Sequence, residues 1–504
     1  MDKPDGVFDR EQEWSDLTRF LTSPGSGMRL GVVYGRRRQG KSFLLRRLVQ
    51  EAGGLYMMAV EEERRLALER FAGTAAQTLF GVPASNLVFD TWENALRSAI
   101  AALPRVARHA GTAPVLVIDE LPHILRHSPE VPSLLQLLYD ESREDSSAPP
   151  VRVIVCGSAL AVMSELLSGA KALRGRAMLD LCLQPFSFTD TATYWGIDDP
   201  AVAFQLHAVL GGTPGYRDLI AGPPPESVDR LGQWLAGNVL DPSHALFDET
   251  DYLLREDPRI TDRALYQSVL TAISRGATTP TKIGSIVGRS AQALAHPLDV
   301  LIKAGFVVRV EDILLQRRAQ LRLADPIVRF QHAISSPSLA MLEDRRADEV
   351  WQASEQTFSS AVLGPHFEHL ARVWTASRAA ADLFGEQLGP VGPTVVNDAN
   401  GRTRHELDVV ALADGQVPRT SRATVRLLGE AKHSQQRRTM ADLARLERIR
   451  DVLAERGIDA RQARLVIFAR NGADSDLRAA CDGRADASVV DLQTMYGAKP
   501  VGGS

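Results

Sequence analysis

The chain has 504 residues, 44% hydrophobic and 24% charged, with a formal net charge of -4. That length exceeds a single hydrophobic core and suggests three or four domains of about 100–200 residues each; the near-neutral balance excludes a global basic field, so any nucleic-acid surface is local. Three scattered cysteines, Cys156, Cys182 and Cys481, exclude a disulfide framework or zinc knuckle, and a polar start with no apolar run of the ~20 residues that span a bilayer leads us to expect a cytoplasmic protein with no membrane partner.

In chain order, a polar lead-in precedes a helix around Arg10–Leu21 and a short apolar strand, Leu30–Tyr34. The segment Gly35-Arg36-Arg37-Arg38-Gln39-Gly40-Lys41-Ser42 follows, and Ser42–Glu51 has helical spacing. Strand, Gly-x-x-x-x-Gly-Lys-Ser, helix is the context of a nucleotide-phosphate loop. The glycines let backbone N–H groups turn toward phosphates, and the helix N-terminus adds partial positive charge. Lys41 is expected to reach the terminal phosphates of ATP and Ser42 to ligate magnesium. Arg36, Arg37 and Arg38 are either phosphate contacts or a solvated loop; Gln39 and Phe43 count with the nucleotide-binding residues.

Residues 65–80 and 92–109 are helical by spacing, and Val115–Ile118 is a buried strand ending in Asp119 and Glu120. A carboxylate there can hold magnesium (Asp119), and the next can polarise the attacking water (Glu120). A helix at Val131–Ser142, a loop at residues 145–150 and a buried strand at Val151–Cys156 follow, with Ser158 placed to sense the terminal phosphate. Strands alternating with helices imply a parallel sheet with covered faces. After Pro185 no further strands are expected until the third block, and residues 188–255 read as helices broken by Gly211-Gly212-Thr213-Pro214 and Gly222-Pro223-Pro224-Pro225. Helices at Ala264–Ser274, Thr281–Val287 and Ala291–Ala304, then short strands at Phe306–Val310 and Leu321–Leu323, have the order of a winged helix-turn-helix. Its Lys282, Arg289 and Lys303 either touch DNA phosphates or belong to an intramolecular lid or protein contact. The charged stretch 336–355 reads as a connection.

The last block reads as helix Ala361–Ser377, a polar segment, strands Leu407–Ala411 and Val425–Ala431, helix Met440–Glu455 and strand Arg464–Ala469. Glu430 and Lys432 flank Ala431, so alternation puts both on one face of a strand. A neighbouring strand brings Asp408 beside them. Asp408 and Glu430 make a hard oxygen site suited to Mg2+ or Mn2+, Lys432 can orient a water and stabilise a developing anion, and Glu368 on the preceding helix can complete the set. His433, Arg437, Arg438, Arg445 and Arg448 either track a phosphate backbone or form a solvated helix face; His405 reads as structural.

Phe8-Asp9-Arg10-Glu11, the phosphate loop, Leu116-Val117-Ile118-Asp119-Glu120, Cys156-Gly157-Ser158, Leu173-Arg174-Gly175-Arg176 and Gly211-Gly212-Thr213-Pro214-Gly215-Tyr216 together resemble the archaeal-type ATPases, a branch of the AAA+/STAND NTPases. The resemblance implies that Arg174 or Arg176 stabilises phosphate charge, in cis or across the interface of a homo-oligomer, and that the segment around Pro214 helps a lid sense nucleotide. One departure is Asp9, where relatives commonly carry glycine. Glu368, Glu406-Leu407-Asp408 and Glu430-Ala431-Lys432 resemble the PD-(D/E)xK restriction-endonuclease-like fold.

The expected fold class is multidomain α/β: a parallel-sheet ATPase core (1–187), a helical lid (188–258), a winged helix (259–340), a linker (341–358) and a nuclease-like domain (359–496). The expected function is an ATPase coupled to a metal-dependent DNA nuclease, in defence or repair. The alternative is a STAND-type nucleotide switch whose last domain binds DNA or acts as an effector without steady cleavage.

Overall fold

The computed structural model describes residues 1–497 apart from residues 170, 317, 318, 399, 400, 421, 422 and 435. The chain forms two compact units: Met1–Phe186 with Thr213–Tyr216 and Tyr252–Ile260, and Ser187–Gly212 with Arg217–Asp251 and everything from Thr261 onward. No helix among the described residues is long and apolar enough to cross a membrane.

The first unit is built on five strands: β1 (Met28–Tyr34), β2 (Gly54–Met58), β3 (Val115–Asp119), β4 (Val151–Gly157) and β5 (Ala177–Cys182). All pairings are parallel, in the order β2-β3-β4-β1-β5. Every residue of β3 and β4 is buried, because helices cover both faces. Leu116 and Ile118 enter one apolar core and Val115 and Val117 the other. That explains an unbroken apolar run rather than an alternating one.

β2 and β5 were not expected, and both are edge strands. β5 buries only part of its length and is interrupted by Asp180, which weakens its apolar signal. β2 starts at Gly54, whose φ of 146° and approach to the Val115 carbonyl exclude a side chain; a Cβ would lie 1.9 Å from that oxygen.

In the second unit, helices Phe188–Trp195, Pro200–Leu210 and Val228–Asn238 come first. Helices Arg263–Ser274, Pro280–Val287 and Ala295–Lys303 lead into the antiparallel hairpin of β6 (Val307–Glu311) and β7 (Ala319–Leu323). Residues 341–358, expected as a linker, are mostly helical: Leu339–Glu343 is followed by Ala347–Thr357. Trp351 on the latter packs so closely on Val228–Asn238 that a Cβ at Gly232 would lie 2.1 Å from its indole nitrogen. The charged residues that suggested a connection form the outer face: Arg346 pairs with Glu349, and Arg345 with Asp241.

The final sheet holds β8 (Leu388–Asp398), β9 (Thr403–Ala413), β10 (Val425–Lys432), β11 (Arg464–Ala469) and β12 (Ala487–Val490), in that spatial order. β8, β9 and β10 pair antiparallel; β10, β11 and β12 pair parallel. The segment expected to be merely polar contains the helix Arg378–Phe384 and β8. Pro390 and Pro393 obscured β8, and they are tolerated because it is an edge strand. One face of the sheet is sealed by Leu443, Leu446, Ile449, Val452 and Leu453 of the helix Met440–Glu455. Ile313, just beyond β6, enters the same core.

Candidate functional site

β1 delivers the chain to Gly35, where a Cβ would meet the Leu183 carbonyl at 2.6 Å. The loop then turns through left-handed conformations at Arg38 (φ 64°) and Gly40 (φ 88°) and enters the helix Lys41–Ala52. Lys41 is 5% exposed, and its Nζ donates to the carbonyls of Gly35 at 2.7 Å and Arg36 at 3.0 Å. The ammonium is thus held inside the loop, where phosphate oxygens compete well for it. Ser42 sits at the first turn of that helix, and Phe43 beside it is 47% exposed.

Asp119 ends β3 fully buried. Its Oδ2 accepts from the Tyr56 hydroxyl, and its Oδ1 from the Glu120 N–H at 2.9 Å. Tyr56 also interacts with Arg46 and Ser42, and burial with Asp119 raises its pKa. Glu120 takes a left-handed φ of 54°, which turns its carboxylate to Ser158; Oε2 accepts from the Ser158 N–H and Oγ, each at 3.2 Å. Glu120→Gln is expected to leave ATP affinity unchanged and to slow hydrolysis about 100-fold or more, because the amide keeps its place but cannot take a proton. Steady-state turnover beside a binding titration measures the split.

The Gly-Thr-Pro segment reaches the loop directly. Gln39 Nε2 donates to Thr213 Oγ1 at 3.1 Å, and the Gly215 N–H donates to the Arg38 carbonyl at 3.0 Å; Pro214 lies between the two contacts. Arg37 pairs with Glu256 at 3.0 Å, a contact with no local signal in the sequence. Burial raises the Glu256 pKa, with Arg37 and Lys41 opposing and Glu120 adding. Arg174 and Arg176 make local bonds: Arg174 Nη1 donates to the Gly169 carbonyl at 2.8 Å, and Arg176 grips both oxygens of Asp140 at 3.0 and 2.9 Å. Asp9, the departure noted above, has a φ of 51°, so it keeps the left-handed turn that glycine favours.

In the second unit, the antiparallel register of β9 and β10 places Val409 opposite Gly429, so Asp408 lies next to the strand end that carries Glu430. Asp408 Oδ2 accepts from the Ala431 N–H at 2.9 Å. Glu430 is 1% exposed; its Oε1 accepts from Arg445 at 2.6 Å and Lys432 at 3.0 Å. Its Oε2 is buried with no hydrogen-bond partner, an unmet acceptor of the kind a metal ion satisfies. Asp408 and Glu430 therefore fit a divalent ion. Glu368 is near enough to raise the Asp408 pKa, but Arg322 engages it at 2.7 Å. Among the described residues no three His, Cys, Asp or Glu side chains converge as metal ligands.

The basic residues after Lys432 mostly hold carboxylates. Arg445 bonds Glu430, Arg448 grips Asp398 and Arg438 pairs with Asp442. His433 contacts Arg470 at 3.1 Å, and His405 contacts Thr403 at 3.0 Å. Lys303 pairs with Asp299, whereas Lys282 and Arg289 are exposed. His369, next to Glu368, keeps an exposed edge; desolvation of its ring, then Arg372, Arg329 and Arg322, lower its pKa to about 4.

Burial first, then Glu368, push Asp408 from 3.8 to about 6, with Glu430 adding and the Ala431 N–H and Lys432 opposing. The folded state thus binds this proton more tightly than the unfolded chain. Its contribution to stability is complete below the unfolded pKa and is lost as pH rises through about 6. Without metal, Asp408→Asn is expected to stabilise the chain near about pH 8 by up to ~3 kcal/mol, with the gain fading toward about pH 4. Urea denaturation in chelator at the two pH values checks this; a variant less stable at both contradicts it.

Residues 7–200 match the family described as an ATPase domain predominantly from Archaea, a match that supports an ATP-binding ATPase. An uncharacterized protein of Methanocaldococcus jannaschii is 23% identical over 343 residues, 67% of this chain and 70% of that protein. Among solved structures, the Walker-type ATPase of Pyrococcus abyssi is similar with a TM-score of 0.47 and 19% identity, over 66% of this chain and 97% of that one. The ORC2 protein of Aeropyrum pernix is similar with a TM-score of 0.46 and 14% identity, over 70% and 97% respectively.

Proposed function

We propose that this protein binds and hydrolyses ATP with magnesium and couples its nucleotide state to a metal-dependent nuclease acting on DNA. The observation that carries the second half is Asp408, Glu430 and Lys432 gathered on two adjacent strands, with an unmet buried oxygen on Glu430. In this reading residues 1–187 are the ATPase core, 188–258 a lid, 259–340 a winged helix and 359–496 a PD-(D/E)xK-like domain. A divalent ion, Mg2+ or Mn2+, supplies an acidified water and neutralises phosphate charge when bound. Lys432, with its side chain 42% exposed, then faces the scissile phosphate and stabilises the anion that develops there. At the other site Lys41 holds the terminal phosphates, Ser42 and Asp119 hold the magnesium and Glu120 accepts the proton of the attacking water. Thr213, bonded to Gln39, is the point at which nucleotide in the loop is felt by the chain leading to the lid.

One observation favours a second reading, a STAND-type switch with a DNA-binding or effector domain. Glu430 and Glu368 are both engaged by guanidinium groups, as in a module that no longer holds metal. The test is cleavage of linear, branched and single-stranded DNA with Mg2+ or Mn2+, with and without ATP. Metal-dependent cutting that disappears with Asp408 supports the nuclease; no cutting under any condition supports the switch.

A further inference from the structure

A cavity of about 520 Å³ opens between the β6–β7 hairpin and the helix Gly364–Thr375. Arg275, Arg322, Arg329 and Arg372 line it with one carboxylate, Glu368, which pairs with Arg322 at 2.7 Å and leaves the other three guanidinium groups to an anion. Low-dielectric walls focus such a field on whatever enters. Arg329 is 8% exposed; its Nη2 donates to the Leu323 carbonyl at 2.7 Å, while its Nη1 is enclosed with no hydrogen-bond partner. An enclosed guanidinium nitrogen without an acceptor is costly, and an anion in the cavity offers one after a small shift. Arg372 donates from Nη1 to the Asp408 carbonyl at 2.8 Å, which fixes the direction of its guanidinium.

The rest of the wall is different in kind. Val308, Leu321 and Pro365 give it an apolar side, suited to the face of a base or the carbon edge of a sugar. Glu368 can accept from a hydroxyl or an amine at Oε1, its Oε2 being held by Arg322. The volume lies in the range of small-ligand sites, about 300–1,000 Å³. We infer that this cavity binds a nucleoside phosphate, with the phosphate on the arginines and the base against the apolar side. That chemistry comes either from a free nucleotide or from the phosphorylated end of a nucleic-acid strand. The inference rests on neither activity proposed above, because it requires no cleavage and no occupant of the Lys41 loop.

The test uses the full chain carrying Lys41→Ala, which weakens the loop as a competing site, in the absence of divalent metal. AMP and a 5′-phosphorylated trideoxynucleotide are titrated in separate calorimetric experiments. Two cavity substitutions accompany them: Arg275→Glu, which reverses charge at the exposed rim, and Ser360→Trp, which fills the mouth from an exposed position. Thermal melting shows which variants remain folded, so either can carry the comparison alone. The expected result is one-to-one binding of at least one probe, weakened about tenfold or more by each folded variant. AMP bound more tightly identifies a free nucleotide; the trinucleotide bound more tightly identifies a strand end. Binding of neither probe at about millimolar concentration, or binding indifferent to the cavity substitutions, overturns the inference. In the latter case the nucleotide is held elsewhere, and loss of ATP binding on Lys41→Ala is judged separately.

Discussion

Lys41→Ala is expected to abolish ATP binding, or to weaken it by about two to three orders of magnitude. The ammonium lies within the turn formed by Gly35 to Gly40 and is held there by two backbone carbonyls. The terminal phosphates of ATP bring several negative charges to a buried point at which this is the main cation. Arg37 does not replace it, because its guanidinium is paired with Glu256 on the other side. Alanine removes the charge and leaves the loop's backbone path intact, since that path is set by Gly35, Arg38 and Gly40. Calorimetric titration with ATP and magnesium reads the change; an unaltered affinity removes the nucleotide assignment.

The second large effect is expected at Asp408. Asp408→Ala should end metal-dependent DNA cleavage while leaving DNA binding largely unchanged, because binding rests on many phosphate contacts spread over a surface. In the proposed site Asp408 and Glu430 would be the two carboxylate ligands, so neither alone would hold a metal in working geometry. Lys432→Ala should also fail to cut, but its metal affinity should persist, which separates the role of the cation from that of the ligands. Wild type and Asp408→Ala, purified side by side, are compared on the same substrates. Equal cutting by both places the activity outside this site.

The sequence made the first site readable because phosphate loops are local: eight consecutive residues between a strand and a helix carry most of the chemistry. β3 and β4 were legible for a related reason, since a strand buried on both faces has no polar residues to interrupt it. The partners that close the site are not local. Tyr56, Thr213 and Glu256 reach Asp119, Gln39 and Arg37 from distant parts of the chain; Thr213 lies in a segment that the family resemblance singles out, but neither spacing nor composition marks Tyr56 or Glu256. In the C-terminal sheet, Asp408, Glu430 and Lys432 could be placed together because strand alternation and pairing are simple geometry. The fate of Glu368 could not, because it depends on Arg322, whose strand β7 lies 46 residues earlier in the chain. The arginines after Lys432 could be read as a phosphate-binding row or as a solvated face for the same reason: the carboxylate partners of Arg438, Arg445 and Arg448 are visible only once the chain is folded.

Asp312, 7% exposed, ties two parts of the second unit together. Its carboxylate accepts from Thr394 Oγ1 and the Val395 N–H on β8, and from the N–H groups of Leu314 and Leu315. Ile313, beside it, donates its N–H to the Pro393 carbonyl, accepts from the Arg419 N–H and packs into the core of the final sheet. The last sheet is therefore not a cassette that inheritance or cloning can lift out at residues 341–358. A junction there leaves an aliphatic side chain of its core, and the carboxylate that takes two hydrogen bonds from β8, on the other side of the cut. A fragment that preserves this core therefore has to carry the segment after β6 together with the sheet.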